Sequence, residues 1–164
     1  MSMHLTKFPE LVTFLNDRNI PNAANMVEHV VELPVKLPPL EEIVHVRWEK
    51  TLPYIQLVCV MVRDVNPERI NQVEIACCRA NNTIVLPGFG FDYTRRAVYF
   101  RQTLMVRDGI DAQFLQQMIL AVTCNARDFL VPFQRVVNHE SAGERICDLA
   151  VEFARENPPP PTQG

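Results

Sequence analysis

The sequence contains no stretch long enough to cross a bilayer as a helix. Its longest strongly apolar run, Leu57 to Val62, falls far short of the roughly 20 residues a span requires. The opening segment MSMHLTKFPELV has no basic patch followed by an apolar run, so no signal peptide is expected there. Cysteine is scarce and odd in number: five residues, at 59, 77, 78, 124 and 147, with no CxxC pair among them. Adjacent Cys77 and Cys78 would bridge each other only under strain. The set reads as reduced thiols, mostly small core hydrophobes, in a cytoplasmic protein with no membrane association. A basic excess is also missing, since the formal net charge is -3. That balance argues against a domain that grips nucleic acid chiefly through phosphates.

Catalytic signatures are absent in the same way. Gly88-Phe89-Gly90 lacks the third glycine of a dinucleotide loop, and the residues after it continue as strand instead of opening a helix. These glycines read as relief of crowding between aromatic positions, or as a bulge. The histidines at 4, 29, 45 and 139 form no HxH or HxxxH pair. Only His29 and His45, as neighbours on adjacent strands, offer a pair that could meet at a metal. Cys77 and Cys78 fall about 100° apart on a helix and do not easily face one ion. Ser141 is explained as a helix cap, and Glu41-Glu42 as solvated carboxylates beside a proline-rich loop. No catalytic residue, metal site or cofactor is expected, and the chain reads as a non-enzyme.

What is present is a legible series of elements. With 164 residues, 48% hydrophobic and 21% charged, the chain suits one globular domain. We place that domain over residues 1–156 and a disordered proline-rich tail over 157–164, where PPPP favours polyproline II. Phe8, Leu11, Val12 and Leu15 form a helical stripe, with Thr6 as cap and Pro9 in the first turn, predicting a helix over Leu5 to Arg18. Asn22 to Leu33 fits either a helical or a strand face; its valines and the extended Pro34–Pro39 segment favour a strand ended by Pro34. LPVKLPPL then reads as a stiff connection. Val44, Val46 and Trp48 alternate with His45, Arg47 and Glu49 as a half-buried strand. Tyr54 to Val62 reads as a central strand covered on both faces, or nearly so.

Asn66-Pro67-Glu68 is a helix start, with Ile70, Val73, Cys77 and Ala80 as its stripe and Asn81-Asn82 as its end. Thr83, Ile84 and Val85 supply strand-forming side chains. After them Phe89, Phe91 and Tyr93 recur with a period of two, Tyr93 to Arg96 reverses the chain, and Val98, Phe100 and Gln102 alternate with Tyr99, Arg101 and Thr103. This predicts an antiparallel hairpin whose aromatic face needs cover. The cover is the long helix opened by Asp111, whose apolar face runs from Phe114 to Phe133 over about five turns, kinked or ended by Pro132. A capping box at Ser141-x-x-Glu144 opens a last helix with Ile146, Leu149, Ala150 and Phe153 inward. The fold class is α+β: an antiparallel sheet of about five strands packed on helices, in the order α-β-β-β-α-β-β-α plus a C-terminal helix.

The segment LPGFGFDYTRRAVYFRQTLMV, together with this order, resembles the hairpin signature of the YbjN family. The likeness runs from roughly Leu5 to Phe133. Members of that family are labelled bacterial sensory transduction regulators, and their fold is similar to that of the type III secretion chaperones, which are small dimers. The resemblance implies a non-catalytic, protein-binding domain, chaperone-like or regulatory, acting as a homodimer with an unidentified protein partner. The candidate binding residues are Arg95, Arg96, Tyr99 and Arg101, with Arg107 nearby, which give the hairpin a basic end. An alternative is a nucleic-acid-binding regulator in which Tyr99 and Arg101 stack on a single strand. The acidic balance of the chain disfavours it, leaving a polar turn and a solvated sheet face.

Overall fold

The computed structural model describes residues 3–158. The expected proline tail falls almost wholly on residues 159–164, outside the described residues. In chain order the elements are β1 (His4–Leu5), α1 (Phe8–Asp17), β2 (Ala23–Asn25), β3 (Val30–Leu37), β4 (Leu40–Trp48), β5 (Tyr54–Val62), α2 (Ile70–Thr83), β6 (Phe89–Asp92), β7 (Ala97–Met105), β8 (Ile110–Asp111), α3 (Ala112–Val137) and α4 (Ile146–Glu156). Short 3-10 turns, Pro67–Arg69 and Gly143–Arg145, lead into α2 and α4. The α+β class and the expected order are present, with β1, β2 and β8 added. Strands β2-β3-β4-β5-β7-β6 form one antiparallel sheet of six, and β1 pairs with β8 apart from it.

Strand alternation sorts the sheet into two faces. Val44, Val46, Ile55, Leu57, Cys59, Val98 and Phe100 are fully buried on the inner one. The hairpin of β6 and β7 turns its aromatic side the same way, and α3 covers it. Phe89 meets Phe100 edge-on at 4.7 Å and lies 4.8 Å from Phe129 and 5.2 Å from Phe133, centroid to centroid. Of the three rings expected on one face, only Phe89 is fully inside; Phe91 is half-buried, and Tyr93, 62% exposed, belongs to the turn.

Several local expectations change. Thr6 does not cap α1: Lys7 occupies that position, and Thr6 donates its N–H (2.7 Å) and hydroxyl (3.1 Å) to the Glu10 carboxylate. Those bonds hold the Glu10 carboxyl below its usual range. Leu5 is taken from the helix by its pairing with Ile110. The ambiguous Asn22–Leu33 segment is a hairpin, with a turn fixed by Asn25, whose side chain accepts the N–H groups of Val27 and Glu28 (3.0 Å each), and by a left-handed His29 (φ 53°). Val27 is therefore exposed in the turn. Pro34 does not end the strand, and LPVKLPPL is no connection but the second hairpin, β3 to β4. The reason is that β2 pairs only as far as Glu32. Beyond it β3 is the sheet edge, where a missing N–H costs no ladder bond.

The helical side brings five more corrections. Asn81 and Asn82 lie inside α2, which continues to Thr83, and Ile84-Val85 form no strand. Asn81 itself does the pairing: its side chain accepts from Gly88 N–H (2.9 Å) and Phe89 N–H (2.8 Å) and donates to Phe89 O (2.9 Å). Pro132 does not end α3, which runs 26 residues to Val137. Burying Phe129, Leu130, Phe133 and Val136 at about 1.5–3 kcal/mol each outweighs the roughly 3 kcal/mol that an interior proline costs. Phe114, by contrast, is 47% exposed and not on the inward face. Ser141 caps nothing. The α4 entry is held by Gly143, whose N–H donates to Gln72 Oε1 (2.7 Å) and whose absent side chain would collide with the Gln72 carbonyl. The inward set of α4 is as expected, with Ile146, Leu149 and Phe153 buried.

Candidate partner-binding face

The second face of the sheet carries the positions that strand alternation excludes from the core. On β7 these are Tyr99, Arg101, Thr103 and Met105, which stand opposite Val60, Val58, Gln56 and Tyr54 of β5. Val58 and Gln56 in turn face His45 and Arg47 of β4, which face Glu32 and Val30 of β3. The run Tyr54–Val62 is thus covered on one side only: Ile55, Leu57, Cys59 and Met61 are buried, while Tyr54, Gln56, Val58 and Val60 remain half-buried. The expectation of cover on both faces is corrected by the position of α3, which packs against the inner side alone of β5 and β7.

The hairpin tip is built by short local bonds. Asp92 Oδ1 accepts the N–H groups of Thr94 (2.9 Å) and Arg95 (3.0 Å), and Arg96 adopts a left-handed backbone (φ 48°). The Arg96 carbonyl accepts Val65 N–H at 2.9 Å, which anchors the turn to the end of β5. Arg95 turns back over the outer face. It lines two adjoining concavities of about 300 Å³ each, which also share His45 and Val60.

Each cation here has a distinct environment. Arg63 makes a two-pronged bond to Glu42 (2.7 and 2.9 Å), which raises its already high pKa. Arg47 pairs with Glu49 at 2.8 Å, and His45 stands 3.8 Å from Glu32. Arg95 reaches Asp92 only at 4.0 Å, with its side chain 78% exposed. Arg101 lies over the Tyr99 ring, 5.6 Å from its centroid.

Among the residues singled out from sequence, Tyr99 and Arg101 share the outer face, and Arg95 joins them from the turn. Arg96 is exposed at the tip, lining neither concavity. Arg107 is not nearby: it follows the opposite end of β7, about 30 Å away for a strand of that length. Sequence reasoning missed His45, Arg47, Val58, Val60 and Arg63. The alternation on β4 did signal that His45 and Arg47 share a face, but only the strand register brings that face beside Arg95.

The other candidate chemistry disperses. His29 stacks on Phe8 with centroids 4.9 Å apart while His45 turns to Glu32, so the pair does not meet. Among the described residues no group of three or more His, Cys, Asp or Glu side chains is placed to hold a metal ion. All five cysteines are free thiols; Cys59 and Cys77 are buried, and burial pushes both up to about 12, which keeps them protonated. Cys78 is exposed, Cys124 and Cys147 half-buried, so only two of the five are core residues. No helix among the described residues is long and apolar enough to cross a membrane.

Residues 41–135 match the family model YbjN, whose description is "Putative bacterial sensory transduction regulator". The match begins in β4 and ends in α3, so it takes in every residue named around Arg95 except Val30 and Glu32. No curated protein matches the sequence.

Proposed function

Because the chain belongs to the YbjN family, we propose that it is a regulatory, non-catalytic protein-binding domain of the cytoplasm that acts as a homodimer. The single observation behind the binding role is the unequal cover of the sheet. One face is sealed by α3, while the other presents half-buried Val58 and Val60 beside Arg95, Tyr99 and Arg101. Mixed apolar and charged surface of this kind suits a partner segment laid across the strands. Arg95, Arg96, Tyr99 and Arg101 are the residues assigned to that contact. The dimer, and a chaperone-like mode of action, come from the likeness to the dimeric secretion chaperones. Light scattering on the purified chain at tens of micromolar tests the dimer: the expected mass is twice the 18.8 kDa of one chain. A strictly monomeric protein at that concentration refutes it.

A further inference from the structure

We infer that the groove on the outer sheet face takes an acidic, extended peptide segment of a partner protein; this rests on the protein-binding reading above. The floor is apolar and ordered by the strands. Val58 and Val60 project from β5 on the same side, about 6.6 Å apart at two strand residues, which is the spacing of alternate side chains in an extended ligand. The rim carries more basic than acidic side chains. Arg47, Arg63, Arg95 and His45 line the two concavities, against a single acid, Asp64. Glu49, Glu42 and Glu32 stand against Arg47, Arg63 and His45 from outside this lining, which leaves Arg95 as the cation complementary to an incoming carboxylate.

The three arginines are not equivalent. Arg47 and Arg63 already hold carboxylates of this chain, Glu49 and Glu42. The fork on Glu42 shows how a guanidinium here engages a carboxylate, through two parallel bonds. Arg95 has only its 4.0 Å contact with Asp92 and swings from a turn, so it is the guanidinium open to a ligand. The apolar side chains of the peptide sit on Val58 and Val60, and its carboxylates meet Arg95.

A nucleic acid fits the same groove less well. Base stacking requires an open aromatic platform, and the floor here is aliphatic. The ring beside it, Tyr99, lies against Gly90 on one side and under Arg101 on the other.

The test is fluorescence anisotropy on the full chain with three labelled probes: a short peptide alternating glutamate and valine, its lysine-valine counterpart, and single-stranded oligothymidine. The glutamate peptide should bind at least about tenfold more tightly than the lysine peptide and weaken as salt rises from roughly 50 to 500 mM. Arg95→Glu should cut its affinity about tenfold without moving the melting temperature. Arg107→Glu, the same charge change beyond the opposite end of β7, should alter it by no more than about twofold. Preference for the oligonucleotide, equal binding of both peptides, no binding of the glutamate peptide, or equal losses from the two variants each overturns the inference. A dimer that ignores the acidic peptide loses this inference but keeps the homodimer proposal. A monomer that binds it loses the dimer and keeps the groove.

Discussion

The inner and outer faces of the sheet are made by the same strands, often by adjacent residues, and they end in opposite states. On β5, Leu57 and Cys59 are fully buried while Val58 and Val60 between and beside them stay half open; on β7, Phe100 is fully buried between Tyr99 and the exposed Arg101. On β5 hydrophobicity does not separate the two sets, because Val58 and Val60 are as apolar as their neighbours. Cover separates them. Side chains touching α3 become core, and equally apolar side chains on the other side become a surface on which a partner can gain burial energy.

Substitutions on either side measure how real this contrast is. Phe100→Ala should have the largest effect, destabilising by about 3–5 kcal/mol, because it empties a fully buried site against Phe89. Urea unfolding followed by circular dichroism reads it, and a loss below roughly 1 kcal/mol would mean the inner face is not packed as described.

Gly90→Ala comes next. An added Cβ would lie 2.5 Å from the Tyr99 ring, yet that ring stands on the open side and has room to swing. The cost should therefore be near 1 kcal/mol, the low end for overpacking. Tyr99→Ala in the same chain should recover most of it in a double-mutant cycle; additive losses would show that the glycine serves its backbone and not the ring.

The smallest effect is expected from Val58→Thr, within about 0.5 kcal/mol, since the residue is half-buried. A loss approaching that of Phe100→Ala would show the outer face to be covered in solution, with a second copy of the chain as the first candidate. That result would sharpen the dimer proposal by placing its interface.

Much of the fold was legible because its strongest signals are local and periodic. The hairpin from Phe89 to Met105 announced itself through alternate aromatics, α2 through the Asn66-Pro67-Glu68 start, and α4 through Ile146, Leu149 and Phe153. Misreadings gathered where a distant partner overrode the local pattern. Pro34 is tolerated because β2 stops short, Leu5 leaves its helix for Ile110, and Gly143 is held by Gln72 in place of the Ser141 cap. None of these partners is visible within a window of neighbouring residues. For the candidate site the division is similar: Tyr99 and Arg101 were found from their own strand, whereas His45, Arg47, Val58 and Arg63 come to Arg95 only through the pairing of β4, β5 and β7.

The sequence by itself determined the class of the fold, the order of its elements and which residues of the hairpin alternate, because those follow from side-chain period, turn chemistry and helix caps. On β5, where both sides are largely apolar, the tertiary structure alone decided which one was buried. Period two is symmetric between the sides of a strand, and the symmetry is broken only when α3 packs on one of them. It also decided that Arg95 stands over valines of another strand, since register between strands is fixed by what the whole sheet buries and not by any one segment of it.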